Sequence, residues 1–510
     1  MAWGDKIKEG RGWGELVLTF QGSRNEELIR LEVLGCLKAT IIIMDMEKQR
    51  DGERWRKGVV VLVAAPFQGH LTPMLELGSI LHSRGFSITV AHTLFNPPNP
   101  SNHPHFSFLP FSHPQHSNTP ISSHNLTTIT STLNTNCASP LKHSLLLHMN
   151  QHNVLCLIYD GLMHFADSVA RQLNIPSLLL RTTSVTNLLA YHALLHQQNL
   201  PNFKDREGWR EMEVPNLEAV RFKDLPNFNC PDSEALLKQL KKTVGVRPSL
   251  GVIFNTVECL EAQYINKLHQ QYLKVPIFAI GPLHLMARQH SSSSSSSSFL
   301  KEDYTCIDWL NKQSPRSVLY LSLGSIASWD QKQLTQMARG LVNCNQPFLW
   351  VVRANHNIIV NVVGDEEVKK GIEERGCVVR WAPQKEVLAH EAVGGFWSHC
   401  GWNSTLESMS EGVPMICQPY FGDQTINSRL LTHVWKLGLQ IQYNNNNNNA
   451  IEEGEIEKAV TRLLVDEEGK EMWKRAQEMK HHIRQAVTQP AASSYNALDS
   501  LVHHLLSLCL

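Results

Sequence analysis

Apolar residues cluster along this chain in short unbroken runs separated by amphipathic stretches. The first clear run, GVVVLVAAP (58–66), has no polar alternation and reads as a strand buried on both faces. In the following FQGHLTPMLELGSILHSRG, Thr72 is suited to cap a helix, Pro73 to its first position and Gly85 to its end. FSITVAH (86–92) is the next predicted strand, which completes a βαβ unit, the building block of a parallel sheet. The alternation continues with VLCLIYD (154–160), a helix through 166–173, and PSLLLRT (176–182). The serine run Ser291–Ser298 interrupts it and has the composition of a flexible linker. Beyond the run, SVLYLSLGS (317–325), QPFLWVVR (346–353), CVVRWAP (377–383), GGFWSH (394–399) and VPMICQP (413–419) read as strands with helices between them. Asn444–Asn449 is a second low-complexity run, expected in a surface loop, and no short internal repeat is evident. The expected fold is α/β: two doubly wound Rossmann-like domains facing a cleft, with ligands at the carboxyl ends of the strands.

Length and composition agree with this picture. A chain of 510 residues exceeds one ordinary core. Lys+Arg and Asp+Glu each total 47, so the formal net charge is zero, and no basic stripe points to nucleic acid or a membrane surface. The eleven cysteines are scattered, without C-x-x-C spacing, as expected of reduced thiols in a cytoplasmic protein. No apolar stretch approaches the roughly 20 residues of a membrane span. Residues 1–56 lack sustained periodicity and end in the charged MEKQRDGERWRKG (46–58), so they are expected to be a disordered extension. The functional start is expected at Met44 or Met46. Deleting residues 1–43 should then leave activity intact, and loss of folding would refute that expectation.

The candidate chemistry sits just after the strands. GGFWSH ends at His399, and NSTLESMSEG then starts a helix with Asn403 or Ser404 near its cap. A helix N-terminus presents unpaired N–H groups and partial positive charge, which suits a phosphate, and Gly401 permits close backbone approach. Ser325 adds a hydroxyl at another strand end. Trp381 follows a strand and offers an indole to stack on a planar base, while Glu407 is placed to accept from ribose hydroxyls. Asp423 and Gln424 can hydrogen-bond vicinal sugar hydroxyls. In the N-terminal half, His70 follows the first strand and stands two residues before the predicted cap. With its ordinary pKa near ~6.5 it can take a proton at neutral pH. Asp160 closes a strand of the same sheet and could fix the tautomer of His70, although an acid there also suits a plain helix cap.

Taken together, Trp381 to Gln424 resembles the signature of plant UDP-dependent glycosyltransferases of small molecules. W-A-P-Q, V-L-x-H, G-x-F-x-x-H-C-G-W-N-S, E, G-V-P and P-x-x-x-D-Q stand in order and spacing. The resemblance extends to PFQGHLTPM (66–74), VIFNTVECLE (252–261) and SVLYLSLGS, and runs from about residue 57 to the C-terminus. It implies a GT-B type fold. Residues 57–284 would form an acceptor-binding domain, 285–300 a Ser-rich linker, 301–488 a UDP-sugar-binding domain, and 489–510 a helix packing back on the first domain. It further implies that Trp381 stacks on uracil with the Ala382 backbone at its edge, and that Gln384 and Glu407 hold the ribose. Ser325, His399, Asn403 and Ser404 would bind the diphosphate, and Trp402, Asp423 and Gln424 would face the sugar. His70 would be the general base, oriented by Asp160.

The implied activity is inverting transfer from a UDP-sugar co-substrate, with glucose favoured by Gln424, to a hydroxyl or carboxyl group of a small plant metabolite. No cofactor or metal, no nucleic acid and a monomeric protein are expected. Leaving-group charge would fall to the helix N-terminus and His399. Cys400 reads as packing, and His82, His92 and His164 as structural residues. The histidines from His103 to His152 show no consistent metal-ligand spacing. HSNTPISSHNLTTITSTLN (116–134) is short of the acidic and helical character expected there, and 94–111 reads as the lip of an acceptor pocket. A Rossmann oxidoreductase would need G-x-G-x-x-G after a strand, which is missing. A UDP-sugar-binding protein without turnover is disfavoured by the presence of both His70 and Asp160.

Overall fold

The computed structural model describes residues 15–18, 29–32, 58–111, 126–197, 208–225, 233–245, 248–290, 298–325, 331–353, 366–441, 451–488 and 492–509. The expectations for the disordered extension, most of the serine run and the Asn444–Asn449 loop lie outside the described residues, except that Glu15–Leu18 pairs antiparallel with Ile29–Glu32.

Two parallel sheets form the frame. The first comprises β1 (Val59–Val63), β2 (Ser87–His92), β3 (Ser107–Pro110), β4 (Val154–Asp160), β5 (Ser177–Arg181), β6 (Gly251–Phe254) and β7 (Ile277–Ala279), in spatial order β7-β6-β5-β4-β1-β2-β3. The second comprises β8 (Val318–Ser322), β9 (Phe348–Val351), β10 (Gly376–Val379), β11 (Val393–Ser398), β12 (Met415–Cys417) and β13 (Gly438–Gln440), in order β10-β9-β8-β11-β12-β13. The central strands are Val-, Leu- and Ile-rich and buried along their whole length, because helices cover both faces. In each sheet the chain first builds outward on one side and then returns to the other. The reversals lie between β1 and β4, paired Val63 to Tyr159, and between β8 and β11, paired Ser322 to Ser398. Such a reversal opens a crevice at the carboxyl ends of its strands. His70 and Asp160 follow the first pair, and Ser325 and His399 the second.

The helices that matter below are α1 (Gln68–Ser83), α2 (Leu126–Asn136), α3 (Val185–Gln197), α4 (Glu258–Gln271), α5 (Leu283–His290), α6 (Trp402–Glu411), α7 (Glu467–Thr488) and α8 (Ser493–Leu506). Helix α7 lies along α6, and α8 packs on β7 of the first sheet. There Ser494 donates to the Gly281 carbonyl at 2.7 Å and Arg84 pairs with Asp499 at 2.7 Å. Among the described residues no helix is long and apolar enough to cross a membrane.

Three local expectations need correction. Helix α1 starts at Gln68, with Phe67 as its N-cap, so His70 lies in its first turn and Pro73 lies inside it. The backbone of 68–72 is already helical, and a Pro in a helix interior, at a typical cost of about 3 kcal/mol, removes the N–H that would bond Gly69. That carbonyl instead accepts from the Asn403 side chain of the second half at 2.6 Å. Residues 285–290 belong to α5 rather than to a linker, because Leu283, Leu285 and Met286 are buried against the first half. Finally, 126–136 is helical despite its threonines. Thr130, Thr132 and Thr135 hydroxyls bond back one turn, and the Asn134 side chain ties α2 to the Leu162 carbonyl and the Phe165 N–H.

Candidate active site

The carboxyl ends of both sheets border one cavity in the cleft. It is lined from the first half by residues including Phe67, His70, Leu126, Leu162 and Thr182, and from the second by all the candidate donor-site residues. From the stretch 94–111, His103 reaches the lining.

His70 is held from behind. Its Nδ1 lies 2.8 Å from Asp160 Oδ2 and 3.0 Å from the Thr182 hydroxyl, while the other Asp160 oxygen accepts from the Leu162 N–H at 2.8 Å. A carboxylate cannot donate, so Nδ1 carries the proton and Nε2 is the basic nitrogen. Asp160 is 1% exposed and His70 23%, so the pair is shielded on the acid side and open on the imidazole side. Burial opposes charge on His70, but the charge and hydrogen bond of Asp160, with a smaller contribution from Asp423, outweigh it and raise the pKa above its ordinary value.

Across the cleft, helix α6 begins at Trp402 with Gly401 as its N-cap, so Asn403 and Ser404 fall in the first turn. The preceding turn is tight, with Cys400 at φ 63° and its carbonyl accepting from Asn427. Its thiol is fully buried and pushed well above its usual pKa, first by burial, which agrees with a packing role. Gly401 has an ordinary φ of −61°, so it is required for space: a Cβ there would lie 2.5 Å from His399 Nε2. Gly324, at φ 80°, is likewise crowded by this ring: a Cβ there would lie 2.7 Å from His399 Nε2. Burial, and then the nearby Arg353, lower His399 to about 4. It is therefore neutral at pH 7 rather than the cation that leaving-group charge would call for.

Beside this turn, the Gln384 amide donates to Glu407 at 2.6 Å and to the Ser404 hydroxyl at 3.0 Å, and its oxygen accepts from Tyr320 at 3.2 Å. Burial raises Glu407 to about 7, with Lys385 and the Gln384 bond acting against it. The Trp381 indole N–H donates to Ser298 at 2.9 Å, and Ala382 is buried beside it. Gln424 curls back to accept from the N–H groups of Tyr420 and Phe421, while Asp423 accepts from Asn427 at 3.2 Å. Trp402 borders the cavity, but its indole N–H is spent on the Asn255 carbonyl at 2.7 Å.

Several residues here were not singled out from the sequence. Arg353 ends the QPFLWVVR run and bonds the Ser325 carbonyl, a cation at the end of the second sheet. Its position at a strand end was the available signal. Lys385, next to Gln384, forms an ion pair with Glu76 of α1, bridging the halves. His148 and His152 stand four apart with ring centroids 4.4 Å apart, a pairing not expected from the sequence. Among the described residues no third ligand joins them, nor is there any other group of three possible metal ligands.

Comparison with known proteins places the chain in a family. The family profile described as "UDP-glucoronosyl and UDP-glucosyl transferase" matches residues 282–485. UDP-glycosyltransferase 76E5 of Arabidopsis thaliana is 42% identical over 472 residues, covering 90% of this chain and 98% of that protein. Flavonol 3-O-glucosyltransferase UGT76E12 of the same plant is 41% identical over 467 residues, covering 88% and 97%. Two solved structures each superpose with a TM-score of 0.73 over 88% of this chain. One is a UDP-glucosyltransferase from Polygonum tinctorium capable of glucosylating indoxyl, in complex with 3,4-dichloroaniline, 27% identical with 98% of that chain covered. The other is Phytolacca americana UGT2 complexed with UDP-2fluoro-glucose and pterostilbene, 26% identical with 100% covered.

Proposed function

The chain belongs to the plant UDP-glycosyltransferases that act on small molecules, and on that premise we propose that it transfers glucose from UDP-glucose, with inversion, to a hydroxyl or carboxyl group of a small plant metabolite. The reading rests on one observation above the rest: the His70–Asp160 pair opens onto the same cavity as the diphosphate turn at the start of α6.

In the proposed arrangement uracil stacks on Trp381 with its edge against the Ala382 backbone, and Gln384 and Glu407 take the ribose hydroxyls. Ser325, the Gly401 turn, His399, Asn403 and Ser404 surround the diphosphate, with Arg353 behind. Asp423 and Gln424 hold the glucose, bordered by the ring of Trp402. His70 Nε2 removes the proton from an acceptor hydroxyl, whose oxygen bonds to the anomeric carbon as the carbon–oxygen bond to UDP breaks. The electron pair leaves on the β-phosphate, where the N–H groups of α6 and neutral His399 donate hydrogen bonds. An α-linked donor thus yields a β-glucoside. A carboxyl acceptor is already ionised and would need His70 less. The domain organisation follows the same logic: the first sheet carries the acceptor, the second carries the donor, and α8 joins them.

The test is mass spectrometry of products formed from UDP-glucose and a pooled plant-metabolite extract. New hexosides equimolar with released UDP are expected. UDP release without any hexoside, or no turnover across the pool, would overturn the reading.

A further inference from the structure

The stretch VIFNTVECLE lies outside the donor site and outside the His70–Asp160 pair, yet its polar residues run toward both. Asn255 directly follows β6 and is 2% exposed. Its Oδ1 accepts from the Leu283 N–H at 3.0 Å, and its Nδ2 donates to Asn403 Oδ1 at 3.1 Å. Asn403 in turn donates to the Gly69 carbonyl at 2.6 Å. A main-chain N–H at one end and a main-chain carbonyl at the other fix both amide orientations, so the relay has a single polarity. Gly69 is free to accept because Pro73 has no N–H to offer it, and Gly69 immediately precedes His70. The Asn255 backbone is tied as well, its N–H to Arg181 and its carbonyl to the Trp402 indole.

The same stretch reaches His70 from its other side. The buried carboxylate of Glu261 accepts from the N–H groups of Val185 and Thr186, from the Thr186 hydroxyl and from the Thr256 hydroxyl, at 2.7 to 3.0 Å. This anchors the first turn of α3, and the loop just before it carries Thr182, whose hydroxyl lies 3.0 Å from His70 Nδ1. The base is therefore braced by one segment through two routes. One route passes through the turn that seats the diphosphate, the other through the loop behind the imidazole.

We infer that Asn255 is a positioning residue, linking the diphosphate turn at Asn403 to the helical turn that aims His70, so that donor seating and base alignment are set together. The inference rests on His70 acting as the base. A base shifted by a fraction of an ångström loses rate on acceptors that must be deprotonated, and loses little on acceptors that arrive ionised.

The substitution Asn255→Asp tests it. Aspartate keeps the acceptor for Leu283 but cannot donate to Asn403, and rotating the Asn403 amide to compensate would set its oxygen against the Gly69 carbonyl. Asn255→Ser, too short to reach Asn403, serves if the aspartate variant does not fold. The variants, His70→Ala and wild type are compared at saturating UDP-glucose on two acceptors that wild type turns over, an aliphatic alcohol and a polyhalogenated phenol ionised at the assay pH. Thermal unfolding and UDP calorimetry confirm that each variant is folded. The ratio of kcat on alcohol to kcat on phenol should fall about 10- to 100-fold in the Asn255 variant and about 10²- to 10⁴-fold in His70→Ala. If His70→Ala lowers the ratio and the Asn255 variant lowers both rates equally, Asn255 is structural and the inference fails. If His70→Ala leaves the ratio unchanged, the base assignment fails and takes the inference with it.

Discussion

Replacing Glu407 by glutamine should stabilise the protein and weaken its grip on UDP, with the stabilising effect growing as pH rises. Glu407 is 8% exposed, and burial raises its carboxyl from an ordinary 4.5 to about 7. The folded state therefore holds the Glu407 proton more tightly than the unfolded chain. The resulting stability is present at low pH and lost as pH rises from 4.5 through about 7. At 1.36 kcal/mol per pKa unit, ionised Glu407 costs the folded protein about 3 kcal/mol at pH 8, and about 2 to 3 kcal/mol of that develops between pH 5 and pH 8. Glutamine carries no charge and escapes this cost, and Lys385 retains Glu76 as its partner.

On the functional side, a hydrogen bond from ribose to a carboxylate contributes about 1.5 to 3 kcal/mol, so UDP affinity should fall roughly 10- to 100-fold. Urea unfolding of wild type and variant at pH 5 and pH 8, with UDP calorimetry at pH 8, reads both quantities. A stability difference that does not move toward the glutamine variant with rising pH, or an unchanged Kd for UDP, refutes the reasoning.

Other perturbations are equally specific. Asp160→Asn removes the charge that does most to raise His70 and leaves burial opposed mainly by the smaller contribution of Asp423. Wild-type kcat/KM should fall as pH drops through an apparent pKa above 6.5. The variant should lose about 10²- to 10⁴-fold in rate with that limb displaced to lower pH, and an unmoved limb counts against the pairing. Gly401→Ala drives a Cβ into the His399 ring, and about 1 to 3 kcal/mol of overpacking at the phosphate turn should weaken UDP binding. Calorimetry that shows no change would mean the ring is not held there. Arg353→Met removes the cation bonded to the Ser325 carbonyl and should weaken UDP binding by about 1.5 kcal/mol or more while flattening its salt dependence, read by titration across ionic strength.

Much of the frame was legible because parallel strands buried on both faces have to be continuous apolar runs. VLCLIYD became β4 over its full length, and SVLYLSLGS, QPFLWVVR and GGFWSH located β8, β9 and β11 to within a few residues. The second-half candidates all line the cleft, since each lies beyond the carboxyl end of a strand of the second sheet. What the sequence hid depends on partners distant in the chain. Pro73 looked like a helix start because locally it is one of the best residues for that role. Its place inside α1 is tolerated because Asn403, 334 positions beyond Gly69 in sequence, uses the Gly69 carbonyl that Pro73 leaves free. The threonine-rich 126–136 looked poor for a helix, and Asn134 secures it to the first-half scaffold. Neutral His399 and protonatable Glu407 could not be read either, because burial, which no residue type encodes, sets both.

The central claim is that His70 takes the acceptor proton in an inverting transfer. The most direct measurement is NMR of the anomeric centre and the rate of glucoside formation from UDP-glucose and one accepted alcohol, for wild type and His70→Ala, with UDP binding measured on the same samples. The account predicts a β-glucoside from wild type, a loss of about 10²- to 10⁴-fold in His70→Ala, and undiminished UDP affinity. Near-wild-type turnover by His70→Ala, or an α-glucoside from the intact enzyme, would contradict it.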